Sequence, residues 1–285
     1  FAMGYDEVDL NLGCPSGTVT AKGKGAGMLA DLEGLDRFLD GIFSAARGKI
    51  SVKTRLGLRD PEEIFPLLER FARYPISLLI LHPRVRQDFY KEPVRPDYFA
   101  RALEVYPGPM CYNGGLRTPE DCAAMQGRFP QVRHWMLGQG LLADPALIRR
   151  CQGGPALTRQ ELRAFHDELY HTYLDVFKSQ RNTVFHMKEL WNYLSGLFDQ
   201  PEKPLLAGAD AMAQSGELLR LRVVPGDGAN SGNPLAQVHA QHRPAFRLPG
   251  RQVQGQPAAA PGDAEDHGCG AFLQKVLDLV EALGG

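Results

Sequence analysis

The sequence predicts an α/β fold: a parallel (β/α)8 barrel short of its full set of strands, with a C-terminal helical domain after it. Three observations lead there. Short apolar runs alternate with longer segments of helical period, the pattern of strands joined by crossover helices. The residues that end those runs are polar, reactive or glycine-rich, as the catalytic rim of such a barrel requires. After Gly154 the strand signals stop and helical periodicity takes over.

The first strand is read at Val8-Asp9-Leu10-Asn11-Leu12, and others follow at Ile50 to Arg55, Ser77 to His82, Pro109 to Asn113 and His134 to Leu137. Leu32 to Ala46 and Pro61 to Tyr74 carry helical period between them, and Leu162 to Phe177 and Thr183 to Phe198 read as two amphipathic helices. The expected organisation is a partial barrel of about five β/α units over residues 1–154, a helical domain over 155–221, and a low-complexity linker with a short terminal helix over 222–285. Arg222 to Pro261 holds six Pro, five Gly and four Arg against one acidic residue, close to a composition that cannot pack. A disordered linker, or residues foreign to the fold, suits that stretch better than a basic RNA-contacting tail. Ala271 to Leu283 then offers one amphipathic helix.

Composition narrows the class. With 285 residues, 44% hydrophobic and 23% charged, the chain can bury a sizeable core. A formal net charge of −1 gives no global signature of a nucleic-acid binder, although a local basic face is compatible with it. Cys14, Cys111, Cys122, Cys151 and Cys269 are odd in number and irregularly spaced, with no zinc-ligand pattern, so reduced thiols in a cytoplasmic protein and no metal are expected. No stretch approaches the roughly 18 apolar residues of a membrane span, and Phe1-Ala2-Met3-Gly4 lacks the basic start of a signal peptide.

The strand ends carry the candidate chemistry. Cys14, between Gly13 and Pro15 just past the first strand, is an accessible thiol rather than a packed one, and an unassisted thiol stays mostly protonated at neutral pH. That suits a proton donor, because a nucleophile needs an activating base. Alternation puts Lys53 and Arg55 on one face of their strand, where two cations call for an anionic cofactor or, alternatively, a barrel carboxylate such as Asp9. His82 ends the third strand and, with Arg84, Arg86, Gln87 and Tyr90 following, lines a polar mouth, although a hydrogen-bonded core histidine fits the position as well. Asn113-Gly114-Gly115 and Gly138-Gln139-Gly140 end the last two strands, where barrels often seat a phosphate on backbone N–H groups.

These residues resemble the tRNA-dihydrouridine synthases, most nearly the bacterial C-type enzymes. The likeness is carried by VDLNLGCPSGTVTAKGKGAGML at Val8 to Leu29, SVKTRLG at Ser51 to Gly57, HPRVRQDFYKE at His82 to Glu92, YNGGLRTPED at Tyr112 to Asp121 and LGQGLLADPALI at Leu137 to Ile148. HMKELWNYLSGLF at His186 to Phe198 is similar to the motif of the family's helical domain. The resemblance implies a TIM-type barrel lacking its first strands, since five candidates fall three short of eight. The missing part would include a proline-containing flavin contact. An open parallel edge then predicts poor solubility for the isolated chain.

The resemblance further implies flavin-dependent reduction of uridine in tRNA to 5,6-dihydrouridine, with FMN as cofactor and NADPH, or NADH, as reductant. Cys14 would protonate C5, and Asn11, Lys53, His82, Asn113, Gly114, Gly115, Gly138 and Gln139 would hold the cofactor. Arg55, Arg84, Arg86 and Tyr90 would meet substrate. Lys188, Trp191 and Tyr193 would form an RNA platform, although Trp191 and Tyr193 fit a helix core equally well. The complete protein would be monomeric. Two departures stand out: His82-Pro83-Arg84 where the family has HGR, and Gly138-Gln139-Gly140 where it has GRG, which removes a cation near the expected phosphate. Rival readings are a flavin barrel of the dihydroorotate dehydrogenase kind acting on a free pyrimidine, and a catalytically inactive truncated product.

Overall fold

A computed structural model describes residue 1 and residues 4–198; the linker and terminal helix expected over 222–285 lie outside the described residues. Five strands form one parallel sheet in chain order: β1 (Glu7–Leu12), β2 (Lys49–Gly57), β3 (Leu79–Val85), β4 (Met110–Asn113) and β5 (His134–Met136). Helices α1 (Gly17–Thr20) and α2 (Leu32–Ala45) follow β1, α3 (Ile64–Phe71) follows β2, α4 (Pro96–Val105) follows β3, and α5 (Pro119–Arg128) follows β4. After β5 come α6 (Gln139–Ala143), α7 (Leu147–Cys151), α8 (Arg159–Phe177) and α9 (Gln180–Leu194). Repeated strand, helix, parallel strand units in sequential order are a partial (β/α)8 barrel. Among the described residues no strand pairs with the outer edge of β1 or of β5, and Val8 on β1 is 39% exposed.

Period-two alternation divides the sheet cleanly. One face carries Leu12, Val52, Leu56, Leu79, Leu81, Met110, Tyr112 and Trp135, all buried against α2 to α5 in one apolar cluster. Phe99 of α4 meets Tyr112 edge-on, with ring centroids 4.9 Å apart. The other face carries Asp9, Asn11, Ser51, Lys53, Arg55, Ile80, His82, Cys111 and Asn113, following the register Asn11 to Lys53 to Ile80 to Cys111 and Arg55 to His82. Apolar residues dominate the helix side, and the concave side is polar apart from Ile80 and Cys111.

β3 starts and ends later than the sequence suggested, and it accommodates Pro83 because the pairing slips there. Arg55 lies opposite His82 and Gly57 opposite Val85, a bulge that removes the need for an N–H at Pro83.

A second apolar cluster is built by Leu162, Phe165 and Leu169 of α8 with Met187, Leu190, Trp191 and Leu194 of α9, joined by Leu142 of α6. Thr158 and Glu161 form a reciprocal capping box that starts α8 three residues before the first apolar position. Lys178 ends that helix in the left-handed conformation, and Ser179 caps α9 with its side chain on Asn182 N–H. Arg149 of α7 pairs with Glu161 through Nη1 to Oε1 at 2.6 Å, holding the Glu161 carboxyl down to about 2 and tying α7 to the start of α8.

Candidate active site

The C-terminal ends of β1 to β5 converge on one rim. Asn11 Oδ1 accepts the Gly13 N–H at 3.1 Å, which folds the chain back past β1 and presents Cys14, half-buried between buried Gly13 and Pro15. The segment after α1 closes over it: Ala26 N–H donates to Cys14 O at 3.0 Å. Gly25, at φ +54°, lies so near that a Cβ there would stand 2.9 Å from the Cys14 Cβ. Among the described residues no side chain hydrogen-bonds the Cys14 thiol.

Lys53 lies opposite Asn11 on β2, half-buried, and among the described residues no carboxylate is within ion-pairing distance of it. Asp9, the alternative partner, instead accepts from Ser51 Oγ at 3.0 Å. Burial lowers the Lys53 ammonium below its ordinary range and neighbouring Arg55 adds to this, with Asp9, Cys111 and Cys14 pulling the other way.

Arg55 is 1% exposed, and its guanidinium serves the backbone. Nε donates to Gly13 O at 2.9 Å, and Nη1 to Val85 O at 3.1 Å and Phe89 O at 2.9 Å. The substrate contact expected of Arg55 is therefore corrected. It lies beneath the rim, tying the Cys14 loop to the loop after β3, and its visible donors are committed to carbonyls. Tyr90 sits above it, ring centroid 5.2 Å from the guanidinium, and is half exposed.

His82 is buried and its Nε2 lies 3.1 Å from Arg84 Nη1. A guanidinium only donates, so Nε2 accepts and the ring proton resides on Nδ1. Burial, then Arg55, Lys53 and Arg84, push the imidazole down to about 2, which keeps it neutral. Gly114 (φ +117°) passes so close that a Cβ would come within 2.5 Å of the His82 ring. Arg84, also buried, donates through Nε to Glu92 O. Arg86 reaches across to Thr20 Oγ1 at 3.1 Å, linking the β3 loop to α1. Asn113 Nδ2 donates to Met136 O at 2.8 Å and so stitches β4 to β5, and Gln139 Oε1 accepts from Arg117 Nη2 at 2.9 Å.

The structure thus gathers Asn11, Cys14, Lys53, His82, Arg84, Arg86, Tyr90, Asn113, Gly114, Gly115, Gly138 and Gln139 along one rim. The α9 residues separate. Lys188 is exposed and Tyr193 partly so. Trp191 is 2% exposed, its ring 5.7 Å from those of His166 and Phe198, a place in the helical core that the sequence left open beside the RNA platform.

Three rim residues carried no sequence signal strong enough to find them. Arg117 lies past the glycine turn. Phe89 is 42% exposed and sits at φ +48°, where a glycine would be the expected residue. Asp88, buried, accepts Val85 N–H at 2.8 Å and pairs with Arg95, ordering the loop.

Among the described residues no group of His, Cys, Asp or Glu is arranged to hold a metal ion, and no helix is long and apolar enough to cross a membrane.

A family model described as Dihydrouridine synthase (Dus) matches residues 1–210. A tRNA-dihydrouridine(16) synthase of Ralstonia nicotianae is 32% identical over 151 residues, 51% of this chain and 45% of its own length. Another from Pseudomonas syringae pv. tomato is 32% identical over 153 residues, 52% and 47% respectively. A probable tRNA-dihydrouridine synthase of Helicobacter pylori is 29% identical over 199 residues, 66% of this chain and 58% of its own. The chain spans about half the length of the curated relatives it matches. With strand-end chemistry on a partial barrel and a family model matched over most of its residues, the chain belongs to the dihydrouridine synthase family.

Proposed function

We propose that this chain carries the reactive rim of an enzyme that reduces uridine in tRNA to 5,6-dihydrouridine, with FMN as cofactor and NADPH, or NADH, as reductant. The observation that carries the reading is the Cys14 thiol, half-buried at the rim, with no hydrogen-bonding base among the described residues and with Lys53 on the neighbouring strand. The donor set fits an anionic flavin: an ammonium with no carboxylate partner, two asparagines, a neutral imidazole, and glycine turns at the ends of β4 and β5.

When bound, FMN would supply the hydride for uracil C6, replenished by the nicotinamide reductant. The chain's own residues do the rest. Cys14 Sγ–H gives its proton to C5 from a loop held by Asn11, Arg55 and Gly25. Lys53 would stand near the pyrimidine edge of the bound cofactor and offset negative charge there. His82, neutral and protonated on Nδ1, offers one donor without adding charge. Asn113, Gly114, Gly115 and Gly138 would hold the cofactor's far end, and Arg84, Arg86 and Tyr90 would line the approach to Cys14. A uridine must leave its stack to reach this rim, so RNA is engaged beyond it, where α9 presents Lys188 with exposed Arg181 and Phe185.

Cys14→Ala in the complete protein is the direct test. It should bind FMN as the parent does and make dihydrouridine in unmodified tRNA about 100-fold more slowly, the usual loss for a general acid. Full turnover by that variant would sink the proton-donor assignment. The relatives named for position 16 make that uridine the first to assay. Turnover of free orotate, with none on tRNA, would select a dihydroorotate-dehydrogenase-like reaction instead.

A further inference from the structure

We propose that Arg117, held in place by Gln139, is the cation that receives the cofactor's terminal phosphate, and that it sets the preference for FMN over a flavin without phosphate; this rests on the flavin reading above. Arg117 follows the glycine turn after β4 and Gln139 the turn after β5, so the 2.9 Å bond between them fixes a guanidinium across the two turns. That bond accounts for one of five N–H donors. Among the described residues no carboxylate lies within ion-pairing distance of Arg117. Asp121, four residues on, is turned to the backbone instead, its Oδ2 accepting Arg117 N–H at 3.1 Å and Thr118 N–H at 3.0 Å.

The partner's chemistry matters. A carboxylate at position 139 would neutralise the guanidinium, whereas an amide orients it and leaves its charge for a ligand. Arg84 lies near enough for the two cations to repel one another, a cost that an anion between them would relieve. Gly114 and Gly115, at φ +117° and +74°, turn the chain against His82 and Val94, whereas exposed Gly138, beside Gln139, has no atom within 4 Å of where a Cβ would stand and leaves its backbone bare. An exposed, unneutralised arginine beside bare backbone matches the planar, bidentate recognition that a phosphate monoester takes.

The test compares two flavins that differ in the phosphate alone, FMN and riboflavin, titrated against the complete protein by flavin fluorescence. Arg117→Ala should raise the Kd for FMN at least about tenfold and leave that for riboflavin within about twofold. Gln139→Leu should shift FMN in the same sense by less, because the guanidinium stays but loses its tether, and Arg117→Lys should recover part of the loss. An Arg117→Ala protein that binds FMN like the parent, or that loses both flavins equally, overturns the proposal while the flavin reading stands. A parent protein that binds neither flavin overturns both.

Discussion

Arg55 shows how a residue type can be legible while its task is not. Alternation placed it correctly beside Lys53 on the concave face, and its charge suggested an anionic ligand. What decided its role was the return of two loops to the same depth, which brings the carbonyls of Gly13, Val85 and Phe89 around one guanidinium. Residues separated by 30 to 42 positions make those contacts, and no local pattern announces them. Arg55→Met should leave three carbonyls without their donor and cost on the order of 3 kcal/mol, read as a lower urea midpoint at unchanged m-value. The Cys14 thiol of that variant should alkylate faster than the parent's, and equal alkylation rates would show that the clamp does not reach the Cys14 loop. The places of Cys14, Lys53 and His82 were readable: Cys14 follows the first strand by two residues, and alternation puts Lys53 and His82 on the polar face of β2 and β3. Arg117 was not, because nothing in the sequence marks which residue of a turn will face the next turn. The cation deficit expected at Gln139 is met by a guanidinium from the neighbouring loop.

At the scale of elements, all five strands were visible as short apolar runs that end in polar or glycine-rich residues. The helices α4 and α5 were less so. On α5 Cys122 is the buried residue, and the helix owes its start to the Thr118 and Asp121 capping box rather than to an apolar stripe. The pair α8 and α9 read well, with starts displaced by three residues because Thr158 and Ser179 cap outside the apolar pattern. Trp191 is the large side chain on which that pair closes. Trp191→Ala should cost about 3–5 kcal/mol, the usual loss for a buried aromatic. The damage belongs to the second cluster, so amide exchange should rise in α8 and α9 well before it rises in β2 and β3. Exchange rising equally in the sheet would mean that the two clusters unfold as one.

Across the whole molecule the charges nearly cancel, yet Lys53, Arg55, Arg84 and Arg117 gather at one end of the sheet while Asp88, the buried carboxylate there, is engaged by Arg95. Such a rim draws anions without making the protein basic. It also links stability to pH. His82, held at about 2 when folded, binds no proton at pH values where the unfolded chain does. Its contribution is constant above about pH 6.5 and declines as pH falls below that, by at most about 1.4 kcal/mol per pH unit. Urea midpoints between pH 7.5 and 5 should therefore fall less steeply for His82→Asn than for the parent. Parallel slopes would show that the imidazole titrates normally.

Strand order and chain order coincide from β1 to β5. During synthesis each of the described units after the first can dock on the one just completed. The Cys14 loop precedes Lys53, His82 and Asn113 in the chain, and the guanidinium that fastens it follows 42 residues later. Over that interval the thiol is unguarded, and from the docking of β2 onward it is held. The loop that carries the thiol is thus fastened from the very next strand, without waiting on β4 or β5.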